Sequence, residues 1–215
     1  MDMNDQKTPY AADQTTHFSH PHLVSLEAYW KTLRHARRVP ARSDLNPALI
    51  DQALPYSFIL QRVAPGVARF RVAGQEIHSL MKMDARGMPL TSLFQTEARD
   101  PVKDLIEKAF QGPAIVGLPL VSQGGLLRPT MTGAMLLLPM QDAQGDTSRL
   151  LGALVFDDVS MPRPRRFAID AGQPIRTETL GPTLATSQLM PKDPVMQKGP
   201  HVSPHPALRL VVNNG

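Results

Sequence analysis

The chain has 215 residues, of which 42% are hydrophobic and 20% are charged, as in a soluble globular protein with one sizeable core and accessory segments. It contains no cysteine, which excludes disulfides, thiolate metal sites and cysteine nucleophiles. The net charge of +4 lies entirely after residue 160, and residues 1–160 are neutral. The body of the protein therefore lacks the clustered positive charge that duplex binding requires.

Residues 1–22 are polar and aperiodic, and we expect them to be disordered. The first residues lack the pattern of a secretory signal, and no apolar run approaches the roughly 20 residues that span a bilayer. We therefore expect a cytoplasmic protein without a membrane span. His17, His20 and His22 lie close in sequence, but a flexible segment lacks the fixed geometry of a metal site, so we predict no metal.

The first predicted helix runs from residue 23 to about residue 38. Its apolar residues at helical spacing are Leu26, Tyr29, Trp30 and Leu33. This side of the helix packs either on the protein's own sheet or on a partner, and we take it as the candidate dimer or partner surface. A proline-bounded connector follows, in which Asn46 or Asp44 is suited to cap a short helix.

The middle of the chain predicts a β-hairpin followed by a short helix. Residues 57–63 and 68–73 have the composition of strands, with a turn at Pro65-Gly66 between them. Gly74 ends the second strand, and Ile77 then begins an apolar pattern at helical spacing.

A longer helix and three strands complete the predicted body. Asp100-Pro101 opens the helix, whose apolar residues form one stripe, and Gly112 ends it. The three strands are predicted at residues 113–121, 126–140 and 148–156. After residue 158 the chain becomes rich in proline and weakly basic, so we expect residues 159–215 to be a mostly disordered tail.

Several sequence motifs, taken in order, resemble one protein family. They are Leu26-x-x-Tyr29-Trp30-x-x-Leu33-Arg34, Pro40-x-Arg42-Ser43-Asp44, Phe70-Arg71-Val72-Ala73-Gly74, Leu136-Leu137-Leu138-Pro139-Met140 and Leu150-Leu151-Gly152. Over residues 23–156 this pattern resembles the stand-alone PAS-domain proteins common in alphaproteobacteria. The resemblance implies an α+β, PAS-like fold over residues 23–158: an antiparallel sheet of about five strands with helices packed on one face, and an N-terminal helix.

A ligand pocket is the first functional expectation. Its candidate lining residues are Phe70, Val72, Ile77, Leu80, Leu105 and Leu137. A ligand in such an apolar cavity would change the packing of the first helix. The alternative is that these residues fill a solid core, because a sequence does not show concavity.

Candidate groups for cofactor binding or catalysis are few. His78 is a candidate haem ligand, although a surface or hydrogen-bonded histidine is the commoner case. The absence of cysteine excludes a flavin bound as a cysteinyl adduct. Glu76, His78 and Asp84 are candidate acid–base groups, but titratable residues without an oriented partner are usually surface residues. The chain also lacks the common nucleotide-binding, esterase and zinc-protease motifs, so we predict no enzyme.

We therefore expect a non-enzymatic sensory or regulatory module that acts through protein–protein interaction, gated by a small ligand in one version of the hypothesis. Its partner would be another signalling protein or a second copy of the chain. Two alternatives remain at this point: a nucleic-acid-associated protein that uses its basic tail, and a small-molecule enzyme on the same fold.

Overall fold

A computed structural model describes residues 17–35, 37–125, 129–157 and 164–181 of the chain. Its α-helices are α1 (Pro21–Arg34), α2 (Gln75–Met81) and α3 (Arg99–Gln111). Its strands are β1 (Ser57–Ala64), β2 (Val67–Ala73), β3 (Ala114–Ser122), β4 (Met131–Gln141), β5 (Thr147–Phe156), β6 (Ala168–Ile169) and β7 (Arg176–Thr179). Short 3-10 helices lie at His17–Ser19, Arg42–Asp44, Pro47–Leu49, Asp51–Tyr56, Leu90–Leu93 and Thr96–Ala98. No helix in these ranges is long and apolar enough to cross a membrane.

The strands form one antiparallel sheet in the order β2-β1-β5-β4-β3, and both β6 and β7 pair with the free edge of β3. The predicted α+β fold, with an antiparallel sheet of about five strands, is thus confirmed: five of the strands are long and two are short. The two short strands differ from the prediction, which placed residues 164–181 in a disordered tail. The rest of that tail, residues 182–215, lies outside the described residues, as do residues 1–16 of the segment 1–22 that was predicted to be disordered. The remainder of that segment is ordered, because His17–Ser19 form a 3-10 helix and α1 begins at Pro21.

Both faces of this sheet carry apolar side chains, as expected for central strands that are covered on both sides. On β4, Met135 and Leu137 belong to the inner cluster, which packs against α2 and α3. Leu136 and Leu138 alternate with them and belong to the outer cluster, which packs against α1. The prediction of helices on one face therefore holds for α2 and α3, whereas α1 covers the opposite face.

Histidines lie at the N-terminus of α1. The His22 backbone N–H donates to Nδ1 of His20 over 3.3 Å, and the two imidazole rings lie 5.0 Å apart. The His22 ring also stacks on Tyr56. Burial and the nearby positive charge of His22 lower the pKa of His20. Among the residues described, no cluster of three His, Asp or Glu side chains is suited to hold a metal ion.

We expect acid to destabilise α1 through His20. The folded state binds a proton at His20 more weakly than the unfolded chain does, so stability should fall as the pH drops below the unfolded pKa of about 6.5. A His20→Asn variant keeps a side-chain acceptor but does not titrate. Its thermal midpoint should fall less than that of the wild type between about pH 8 and about pH 5. Equal losses in both proteins, or the same benefit from His35→Asn at the other end of α1, would contradict this role.

Candidate ligand and partner sites

The inner cluster brings together five of the six predicted pocket residues. Their exposed fractions run from 0% to 7%. These five residues are Phe70, Ile77, Leu80, Leu105 and Leu137. The ring of Phe70 packs edge-on against Phe58 with the centroids 5.3 Å apart. Side chains buried to this degree are typical of the interior of a protein, which is close-packed on average. Ligand binding by these five residues stays a prediction.

Val72, the sixth predicted pocket residue, lies on the other face of the sheet and is 51% exposed. Leu60 pairs with Phe70, but the preceding residue Ile59 pairs with Val72, so β2 holds one extra residue, Arg71, at this point. Such a bulge reverses the alternation of side chains along a strand. Val72 therefore faces outward with Ile59, and its assignment to an inner cavity is wrong.

An apolar groove of about 430 Å³ lies where Val72 emerges. We call it the outer-face groove. Its main apolar lining residues are Leu45, Ile50, Leu54, Ile59, Val72 and Leu151, and Arg42, Asp51 and Gln75 add polar groups. The connector of 3-10 helices between α1 and β1 forms one wall, and the outer side of β1 and β2 forms the floor.

Gly74 allows this connector to lie directly against the start of α2. A Cβ atom at Gly74 would stand 2.2 Å from the backbone oxygens of both Leu54 and Pro55. Its N–H donates to Ser57 O over 2.8 Å, which joins the end of β2 to the start of β1. The position of the groove wall therefore depends on the absence of a side chain at residue 74.

The predicted partner side of α1 packs on the protein's own sheet. Leu26 and Trp30 are fully buried in the outer cluster, and Trp30 Nε1 donates to Pro139 O over 3.0 Å. Tyr29 and Leu33 are partly buried, and the Tyr29 hydroxyl accepts from the Asn46 backbone N–H over 2.7 Å. Leu26 and Trp30 are therefore not available to a partner in this arrangement.

The polar side of α1 contacts β7 and the residues after it. Glu27 accepts two hydrogen bonds from the Arg176 guanidinium, of 2.6 and 2.7 Å, and is 2.7 Å from Lys31 Nζ. Burial alone would raise the pKa of Glu27, but hydrogen bonds from Arg176 and Lys31 outweigh it, and the pKa is lowered. Beyond β7, Leu180 O accepts from Nε of Arg38, which lies four residues after the end of α1, over 2.6 Å. These contacts join α1 to the last strand of the sheet.

His78 uses both ring nitrogens within the chain. Nδ1 accepts from the Ala85 N–H over 3.0 Å, so Nε2 carries the proton and donates to Ala73 O over 3.1 Å. A haem iron would have to replace one of these bonds. The hydrogen bonds from Arg86 lower the pKa of Asp84 to about 2, which keeps it a carboxylate. His78 Nδ1 also lies 3.6 Å from Asp84 Oδ1. The Glu76 side chain makes no hydrogen bond or ion pair with any residue that the structure describes.

The antiparallel sheet, with α2 and α3 on one face and α1 on the other, defines a PAS-like domain. A family model described as the PAS domain matches residues 18–155, and the chain belongs to this family. No curated protein matches the chain.

Several solved structures are similar at low identity. The light state of the blue-light photoreceptor Aureochrome1 LOV has 16% identity and a TM-score of 0.37, covering 53% of this chain and 89% of that one. A sensory box sensor histidine kinase from Vibrio cholerae has 17% identity and a TM-score of 0.37, with the same two coverages. An RNA-binding Light-Oxygen-Voltage receptor has 14% identity and a TM-score of 0.37, covering 53% of this chain and 33% of that one. The family assignment rests on the family model.

Proposed function

We propose that this protein is a non-enzymatic PAS-type regulatory module that passes a signal to another protein through the exposed side of α1. The position of α1 is the observation that carries this proposal. Its apolar side packs on the sheet, Glu27 joins it to Arg176 of β7, and its remaining side is exposed at Val24. Because α1 contacts the sheet on one side and β7 on another, a shift of the sheet would move α1 and the exposed surface around Val24.

The alternation of side chains on β4 gives a physical route from the core to α1. Met135 and Leu137 belong to the inner cluster, whereas Leu136 and Leu138 belong to the outer cluster that contains Trp30. A ligand that displaced the inner side chains would move the same strand that supports α1. Such a ligand can shift the position of α1 only by its difference in affinity for the two arrangements.

Site-specific photo-crosslinking in cells tests the partner surface. A photoreactive residue at Val24, which is 51% exposed on α1, should capture a specific protein. The same residue at Val63, which is 47% exposed on β1, is the matched control and should not. The purified partner should then bind the wild type and Val63→Arg equally, and Val24→Arg at least about tenfold more weakly, because a charge at an interface centre is costly.

Two results would overturn this proposal. One is equal binding of the purified partner by Val24→Arg and Val63→Arg. The other is turnover of a nucleotide or ester substrate by the purified protein at an enzyme-like rate, since that would place the function in chemistry rather than in recognition.

A further inference from the structure

The outer-face groove has the dimensions and lining of a small-molecule site. Its volume of about 430 Å³ lies within the range of roughly 300–1,000 Å³ that ligand pockets occupy. Its floor consists of Ile59, Val72 and Leu151, and few polar groups are placed around it. Most of its apolar lining belongs to or packs against the outer cluster, and Phe58 of the inner cluster and Gln75 at the start of α2 lie at its edge.

Apolar side chains are exposed at this groove. Val72 is 51% exposed and Leu54 is 38% exposed, and they line the same concave surface. Exposed apolar area costs free energy in proportion to its size. The bulge at Arg71 directs Val72 into this site instead of into the core. An apolar body that covers these residues would recover that free energy.

Arg42 and Asp51, the charged residues that line the groove, indicate which polar group a ligand would carry. The Arg42 guanidinium makes no hydrogen bond or ion pair with any described residue. Asp51 Oδ1, in contrast, accepts from the Gln52 N–H over 2.7 Å. A guanidinium forms two parallel hydrogen bonds with a carboxylate. The carboxylate of Asp51 in the same groove disfavours a doubly charged phosphate group over a singly charged carboxylate.

We propose that the outer-face groove binds a small amphipathic carboxylate, with its apolar body on Val72 and Leu54 and its carboxylate on Arg42. This site goes beyond the proposed function, because it does not depend on a partner at α1. The ligand would contact the connector that leads out of α1 and the outer side of β1 and β2 at the same time. Its occupancy would therefore fix the connector against the sheet.

Calorimetric titration with octanoate and with octanol tests this site. The wild type should bind octanoate at least about tenfold more tightly than octanol, because only octanoate can form charge-assisted hydrogen bonds with the Arg42 guanidinium. Arg42→Gln should bind the two probes equally. Val72→Glu should weaken both, and Val63→Glu, which adds the same charge at a comparably exposed valine outside the groove, should behave as the wild type.

Three outcomes would overturn the proposal. They are no binding of octanoate by the wild type, an octanoate preference that survives in Arg42→Gln, and equal effects of Val72→Glu and Val63→Glu. Methyl NMR shifts give a second readout that does not rely on variants: octanoate should shift the Val72 methyl groups, and shifts confined to Leu137 would place the ligand in the inner cluster instead. Crosslinking from Val24 in the absence of octanoate is unaffected by any of these results, so failure of this site and of the proposed function can be told apart.

Discussion

Replacement of Trp30 by alanine should lower the free energy of unfolding by about 3–5 kcal/mol, the range for deletion of a buried large aromatic side chain. Trp30 is fully buried between α1 and the sheet, so truncation leaves a cavity in the outer cluster. It also removes the hydrogen bond from Nε1 to Pro139 O and leaves a carbonyl on the central strand β4 without that donor. Both losses act on the contact that holds α1 on the sheet.

Urea unfolding followed by far-ultraviolet circular dichroism measures this effect. Tryptophan fluorescence is unsuitable, because Trp30 is the single tryptophan of the chain. Val24→Ala is the matched control on the same helix and should change stability by no more than about 0.5 kcal/mol, since Val24 is half exposed. Trp30→Phe should fall between the two, because it keeps most of the apolar volume and loses the hydrogen bond. A loss below about 1 kcal/mol in Trp30→Ala would mean that α1 is not docked in solution.

Helix α3 can be predicted from the sequence because its apolar residues recur at helical spacing. This spacing indicates both that the segment is a helix and which of its faces is buried. All five apolar residues of the stripe are buried: Val102, Leu105, Ile106, Ala109 and Phe110. Its first residue was less predictable. The sequence predicts that Asp100-Pro101 opens the helix, but α3 begins at Arg99, directly after a 3-10 helix at Thr96–Ala98. Asp100 lies inside the first turn and pairs with Lys103 over 2.7 Å.

The groove and the last two strands depend on pairing that no local pattern reports. Val72 faces outward because Arg71 is an extra residue on β2 that has no partner on β1. A strict period of two along β2 would instead place Val72 on the same face as Phe70. β7 has the sequence Arg-Thr-Glu-Thr, without apolar alternation. It forms because β3 offers its free edge and because Glu27 of a distant helix pairs with Arg176. The bulge follows from the register within the β1–β2 hairpin, and β7 follows from contacts between segments far apart in the chain.

The sequence also does not determine on which face of the sheet α1 packs. The apolar spacing of Leu26 and Trp30 requires a buried face but does not say what covers it. The outer cluster supplies that surface through Leu136, Leu138 and Met140 of β4. The near-continuous apolar run of this strand is the sequence signal for burial on both faces, and it could have indicated a second helical layer.

Gly74→Ala should also destabilise the protein strongly, by about 1–3 kcal/mol or more, because overpacking forces the backbone to move. Residue 74 has φ −74°, an ordinary value for any residue, so the constraint is space and not conformation. The added Cβ would stand 2.2 Å from two backbone oxygens, of Leu54 and Pro55, and neither belongs to a flexible side-chain end. The connector must therefore shift away from α2.

Gly112→Ala is the matched control, because a Cβ at Gly112 has no heavy atom within 4 Å and that residue also has a negative φ. It should change stability by no more than about 0.5 kcal/mol in the same urea experiment. Gly74→Ala should in addition move one wall of the outer-face groove, so octanoate affinity should change in this variant and not in Gly112→Ala. Equal stability of the two variants would mean that the connector adapts at no cost, and the groove would then be a soft surface without a fixed shape for any ligand.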